Sequence, residues 1–190
     1  MTIPVWNAAG VLPPIRQEAP GNSPDRSPYL IDLSSLVDRF ATSPERRGIL
    51  DGLLRFRAAL HQAGIVSGFQ WLDGSFLEDV ETLENRPPRD MDVVTFFHLP
   101  AGQDQRSLIQ RHEALLDPRQ TKASFAIDAY PVVLGQPTDQ WQVKHVAYWY
   151  SMWSHRRDGL WKGFVQADLD PAQDVSAQAL LNLHGGIGHD

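Results

Sequence analysis

Asp90-Met91-Asp92 sets two carboxylates two residues apart at the head of Met91 to Phe97, a run rich in β-branched and aromatic residues. Such a run reads as a strand, and residues two apart on a strand point to the same face. Two like charges in so small a volume repel unless they are protonated, hydrogen-bonded or bound to cations. Their hard oxygens suit Mg²⁺ or Mn²⁺. A third acid, Asp128, stands in the otherwise apolar segment Ser124-Phe125-Ala126-Ile127-Asp128-Ala129-Tyr130, where an unpaired carboxylate would be costly to bury. Beside the first two, Asp128 would complete a set able to hold two cations about 4 Å apart, aligning an attacking hydroxyl with a departing pyrophosphate. Asp128 is then the group to deprotonate or orient the attacking hydroxyl. Upstream, Gly74-Ser75 closes an apolar run. A glycine there lets backbone approach a ligand, and the serine hydroxyl with backbone N–H groups can hold phosphate oxygens. Lys144 is a further candidate for a triphosphate, on a helix that follows the third acid.

These residues need elements to position them. Residues 1–28 carry prolines at 4, 13, 14, 20, 24 and 28 and little periodicity, which predicts an extended arm, its apolar residues laid along the domain. Leu33, Leu36, Val37 and Phe40 form one helical stripe. Ser43-Pro44-Glu45 is a helix start, and Ile49, Leu53, Phe56 and Leu60 carry that helix to Ala63, where Gly64 ends it. Residues 65–72 read as a strand, 76–89 as an acidic, solvated loop, 103–116 as a helix and 122–134 as a strand. Residues 138–155 read as an aromatic-rich helix whose Trp141, His145, Tyr148, Trp149 and Met152 fit a core-facing stripe. Arg157-Asp158-Gly159 suggests a hairpin turn, with Arg156, Arg157 and Lys162 as solvated cations around it. Residues 171–184 predict a last helix before a glycine-rich tail.

Composition sets outer limits. The chain has 190 residues, 42% hydrophobic and 21% charged, with 17 basic against 23 acidic side chains and a net charge of -6. That balance argues against a surface coated for nucleic acid. With no cysteine, disulfides, thiolate metal sites and cysteine nucleophiles are excluded. No apolar run approaches the ~18 residues of a membrane span, and the N-terminus does not read as a signal peptide. The expectation is a soluble, cytoplasmic protein.

The order Gly74-Ser75, Asp90-x-Asp92, Asp128 resembles the polymerase-β nucleotidyltransferase superfamily. Over roughly residues 1–170 the chain further resembles a bacterial family of uncharacterised nucleotidyltransferase-like proteins. That likeness rests on Ile3-Pro4-x-Trp6-Asn7-x-x-Gly10-x-Leu12-Pro13-Pro14, Arg39-Phe40-Ala41-Thr42-Ser43-Pro44-x-Arg46-Arg47, Asp73-Gly74-Ser75-Phe76, Pro88-Arg89-Asp90-Met91-Asp92 and Arg157-Asp158-Gly159-x-x-Lys162-Gly163. The stretch between Ser75 and Asp90 is longer than in minimal members of the superfamily. The resemblance implies an α+β nucleotidyltransferase fold, a small mixed sheet flanked by helices. The domain would span 29–170, behind the arm 1–28 and ahead of a C-terminal helix and tail at 171–190. It implies a magnesium- or manganese-dependent enzyme moving a nucleoside monophosphate from a nucleoside triphosphate to a hydroxyl on a protein, RNA end or small molecule. Asp90, Asp92 and Asp128 would be catalytic and metal-binding, and Gly74, Ser75 and Lys144 nucleotide-binding. Related small nucleotidyltransferases occur in toxin–antitoxin and phage-defence systems, which extends the expectation to that setting and to a protein partner. The alternatives are a catalytically inactive interaction or antitoxin module of the same fold, and a metal-dependent hydrolase.

Overall fold

The computed structural model describes residues 2–186. The glycine-rich tail from residue 187 onward lies outside the described residues. Strands β1 (Tyr29–Ile31), β2 (Gly68–Asp73), β3 (Met91–Phe97), β4 (Ile127–Val133) and β5 (Val165–Asp168) form one five-stranded mixed sheet in the order β1-β5-β2-β3-β4. The pairs β1–β5 and β3–β4 are parallel, while β5–β2 and β2–β3 are antiparallel. Helices α1 (Leu33–Phe40), α2 (Pro44–Gln62), α3 (Val80–Glu84), α4 (Gln105–Arg111), α5 (Glu113–Leu116), α6 (Pro118–Phe125), α7 (Gln140–Trp153) and α8 (Ala172–Gly186) surround it. Among the described residues no helix is long and apolar enough to cross a membrane.

The two sheet faces are covered differently, and that difference creates the site. On one face α2 packs with α1, α8 and α6. Asp32 and Ser43 cap α1 and α2 by accepting the backbone N–H groups of Ser35 and Arg46, and the stripe Leu33, Leu36, Val37 and Phe40 is fully buried. Arg57 of α2, 0% exposed, donates to Gln70, Asp174 and the Asp168 carbonyl, tying α2 to β2 and α8. The other face carries Trp71, Phe96 and Tyr130, with Trp149 and Tyr150 of α7 stacked on them. Phe164 also packs on Trp71 and Trp153 here, and beyond Trp71 this end of the sheet, with Asp73, Asp92 and Asp128, opens onto a cleft.

Several segments depart from the sequence reading. Residues 118–125 form α6, so the strand expected over 122–134 begins only at Ile127. Asp117-Pro118 is the reason: Asp117 accepts from the Arg119 N–H, Pro118 opens the helix, and Ala126, at φ 57°, ends it in a left-handed turn. The expected helix over 103–116 breaks at His112 into α4 and α5. The acidic stretch 76–89 contains α3 and is partly buried. The expected hairpin around Gly159 shrinks to a single bridge between His155 and Trp161, because the following segment leaves to become β5 between β1 and β2. The arm has no helix or strand among its described residues; Gly10–Pro13 is buried, whereas Val5 is exposed.

Gly52 lets α6 dock. A Cβ there would stand 1.9 Å from the Phe125 carbonyl oxygen. Alanine is the better helix former by about 1 kcal/mol, but backbone cannot yield as a flexible side chain can. Gly52→Ala is therefore expected to destabilise the protein by about 1–3 kcal/mol in chemical denaturation. A gain in stability would show that α6 does not sit this close.

Candidate active site

Asp73, at the end of β2, is paired across the sheet with Asp92 of β3, and Asp92 with Asp128 of β4. Three aspartates thus form one row across three neighbouring strands on the partly covered face. Asp90, two residues before Asp92, joins the row through Lys122 of α6. The Lys122 ammonium lies 2.6 Å from the Asp90 carboxylate and 3.3 Å from that of Asp128. The hydrogen bond to Asp90, with the charges of Asp90 and Asp128, holds the Lys122 pKa above its ordinary value. The structure therefore brings Asp90, Asp92 and Asp128 together and adds Asp73, which the sequence reading took only as part of the turn.

Asp92 is the electrostatically exposed member of the row. Among the described residues no cationic side chain lies within 4.0 Å of it. Burial, then the charges of Asp90 and Asp128, push its pKa up to about 6. Asp73 is buried, and burial raises its carboxyl against the pull of Lys162. Among the described residues one of its oxygens, Oδ1, has no hydrogen-bond partner.

The loop after β2 is held from beneath. Lys162, 5% exposed, places its Nζ 3.0 Å from Asp73 and 2.9 Å from Glu78. Burial works against that ammonium, but Asp73 and Glu78 outweigh it and keep the lysine charged. Because Asp73 precedes Gly74-Ser75 and Glu78 follows, Lys162 closes the turn from both ends. Gly74 sits at φ 87°, and a Cβ on it would stand 2.9 Å from the Asp92 carboxylate. Glycine is needed there both for the backbone angle and for the close approach. Buried Arg46 donates to the carbonyls of Phe76 and Glu78 and to Glu81. Trp6 of the arm donates to the Leu77 carbonyl, and the Asp79 N–H to Gly10. The acidic loop read as solvated is in fact anchored: Glu78 by Lys162, Glu81 by Arg46.

An open cleft of about 870 Å³ runs from this row. Gly74, Ser75 and the acids line one end; Arg86, Arg89, Arg156 and Arg157 line its walls with Trp149, Met152 and Trp153. Lys144 is not in it. A helix turns about 100° per residue, so facing Trp149 and Trp153 inward carries Lys144 round to exposed surface. The stripe expected on α7 is likewise rotated: Trp149 and Trp153 are buried, while Trp141 and Tyr148 are largely exposed. Lys162, read as a solvated cation, is buried in the ion triad. The cation the sequence reading missed is Lys122, whose signal was the helix start at Asp117-Pro118.

The sequence profile of one family covers residues 4–168, most of the chain. The chain belongs to a family of unknown function (DUF6932). Every part of the site described above, from the arm's Trp6 to Lys162 and β5, lies within the matched span. No curated protein and no solved structure matches the chain.

The carboxylate row suits a hard divalent cation: four carboxylates on or next to neighbouring strands, one crowded by like charge and, among the described residues, without a cationic partner, a second with an oxygen that has no hydrogen-bond partner among them. Among the described residues no three acidic or histidine side chains already stand as a ligand set, and the Lys122 ammonium bridges two of the carboxylates.

Proposed function

We propose that this chain is a metal-dependent nucleotidyltransferase of the polymerase-β type, acting on a nucleoside triphosphate and a hydroxyl acceptor. The observation that carries the reading is the in-register row of Asp92 and Asp128, with Asp90 beside it, opening onto the Gly74-Ser75 turn. Asp90 and Asp92 would hold the cation, which when bound supplies charge neutralisation and alignment for phosphoryl chemistry. Gly74 and Ser75 present backbone N–H groups and a hydroxyl to the outer phosphates. Trp149, Met152 and Trp153 form an apolar wall for the base, and Arg157 is at hand for phosphate oxygens. Asp128 takes the proton of the acceptor hydroxyl as its oxygen bonds to the α-phosphorus; the bond to the pyrophosphate oxygen breaks, and pyrophosphate leaves.

A non-catalytic interaction module is the second reading, favoured by the Lys122 bridge, which pairs with two of the acids without any metal. Calorimetric titration of the four nucleoside triphosphates with Mg²⁺ or Mn²⁺ separates the two. Wild type is expected to bind one or more nucleotides only with metal, and Asp90→Ala/Asp92→Ala to lose that binding. Wild type that binds none would leave the interaction module standing.

A further inference from the structure

Lys122 occupies the place in the site where a cation is wanted. Its Nζ lies 2.6 Å from Asp90 and 3.3 Å from Asp128, whereas Asp92 has no such partner among the described residues. The backbone that carries it is fixed: buried Thr121 anchors α6, which docks against Gly52 and ends in the left-handed turn at Ala126 just before β4. The side chain itself is half exposed, at 51%, and a four-carbon stem can swing an ammonium several ångströms without moving its helix. A fixed root, a mobile arm and a positive tip between two carboxylates describe a counter-ion supplied by the protein.

We propose that Lys122 is a place-holding cation, which keeps Asp90 and Asp128 together in the metal-free protein and must be displaced for a divalent ion to bind. This rests on the metal-dependent reading above. Metal affinity is then set by a competition between two cations for the same oxygens. The displaced ammonium enters a cleft whose expected occupant carries phosphates, so nucleotide should tighten metal binding by giving the lysine a new partner.

The test is Mn²⁺ binding, followed by the electron paramagnetic resonance of free Mn²⁺, in wild type, Lys122→Met and Arg89→Met. Arg89 lines the same cleft and controls for the loss of one positive charge. Lys122→Met is expected to bind Mn²⁺ about ten-fold tighter or more, and Arg89→Met within about two-fold of wild type. In chelator Lys122→Met should melt below wild type, and Mn²⁺ should raise its melting temperature by more. Mn²⁺ binding that is unchanged or weaker in Lys122→Met, or tightened equally by Arg89→Met, overturns the place-holder while leaving the metal site standing. Absence of Mn²⁺ binding in all three proteins overturns the metal-dependent reading itself, and the place-holder with it.

Discussion

Asp92→Asn is expected to abolish metal-dependent nucleotidyl transfer and, in the metal-free protein at pH 7.5, to raise stability. The two effects share a cause. Burial and the charges of Asp90 and Asp128 push the Asp92 carboxyl up to about 6 in the folded protein, against an ordinary value near 3.8. A raised acid makes the folded state bind a proton that the unfolded state has already released. Stability therefore falls as pH rises from about 4 to about 6 and stays depressed above that. The depression is about 2–3 kcal/mol. Asparagine has the same shape without the charge, and no hydrogen bond to the Asp92 carboxylate is lost by the change. Melts of wild type and Asp92→Asn in chelator should coincide near pH 4, separate between about pH 4 and pH 6, and stay apart above that, with the variant higher. Mn²⁺ should raise wild type and leave the variant little changed. A variant that retains transfer, or melts below wild type at pH 7.5, would overturn the assignment of Asp92 as the crowded ligand.

Lys162→Met is expected to give the largest loss of stability at the site. Lys162 is buried and shared by two buried acids, Asp73 and Glu78. Removing one partner of a buried ion pair leaves uncompensated charge, at about 3–5 kcal/mol. Here Asp73 loses its Lys162 partner and Glu78 keeps only the longer pair with Arg156 at 3.7 Å, on either side of Gly74-Ser75, so the turn should open even in conditions where the chain stays folded. The triple variant Lys162→Met/Asp73→Asn/Glu78→Gln should recover a substantial part of the loss in urea denaturation, since no bare charge is then left inside. A single variant as stable as wild type would mean that the triad does not hold the loop.

Strong local signals were legible in the sequence. The stripes of α1 and α2 and the Ser43 cap of α2 lie where their spacing places them, and Met91 to Phe97 is a strand end to end. So was the pairing of Asp90 with Asp92 and their approach to Asp128, because alternation on two apolar strands leaves the acids one face to share. Three things were hidden for separate reasons. The helical start at Asp117-Pro118 was overridden by the apolar run that follows it, and Lys122 was lost with it. Lys162 and Glu78 looked like solvent-facing charges because their partnership spans the chain from β2 to the approach to β5, a distance no local pattern reports. The phase of α7 depends on which of its many aromatics meets Trp71 and Tyr130, so Lys144 went to the wrong side.

The position of β5 has a consequence for biosynthesis. Residues 165–168 lie between β1 and β2, so the first strand made cannot join the sheet until nearly the last has left the ribosome. At about 5–20 residues per second, β2, β3 and the acids they carry wait several seconds with one edge bare. Lys162, which pairs with Asp73 of β2 and with Glu78 on the loop after it, emerges just ahead of β5. The charge that steadies the loop and the strand that seals the sheet thus reach the nascent chain together, and the site is assembled in the same closing event as the fold.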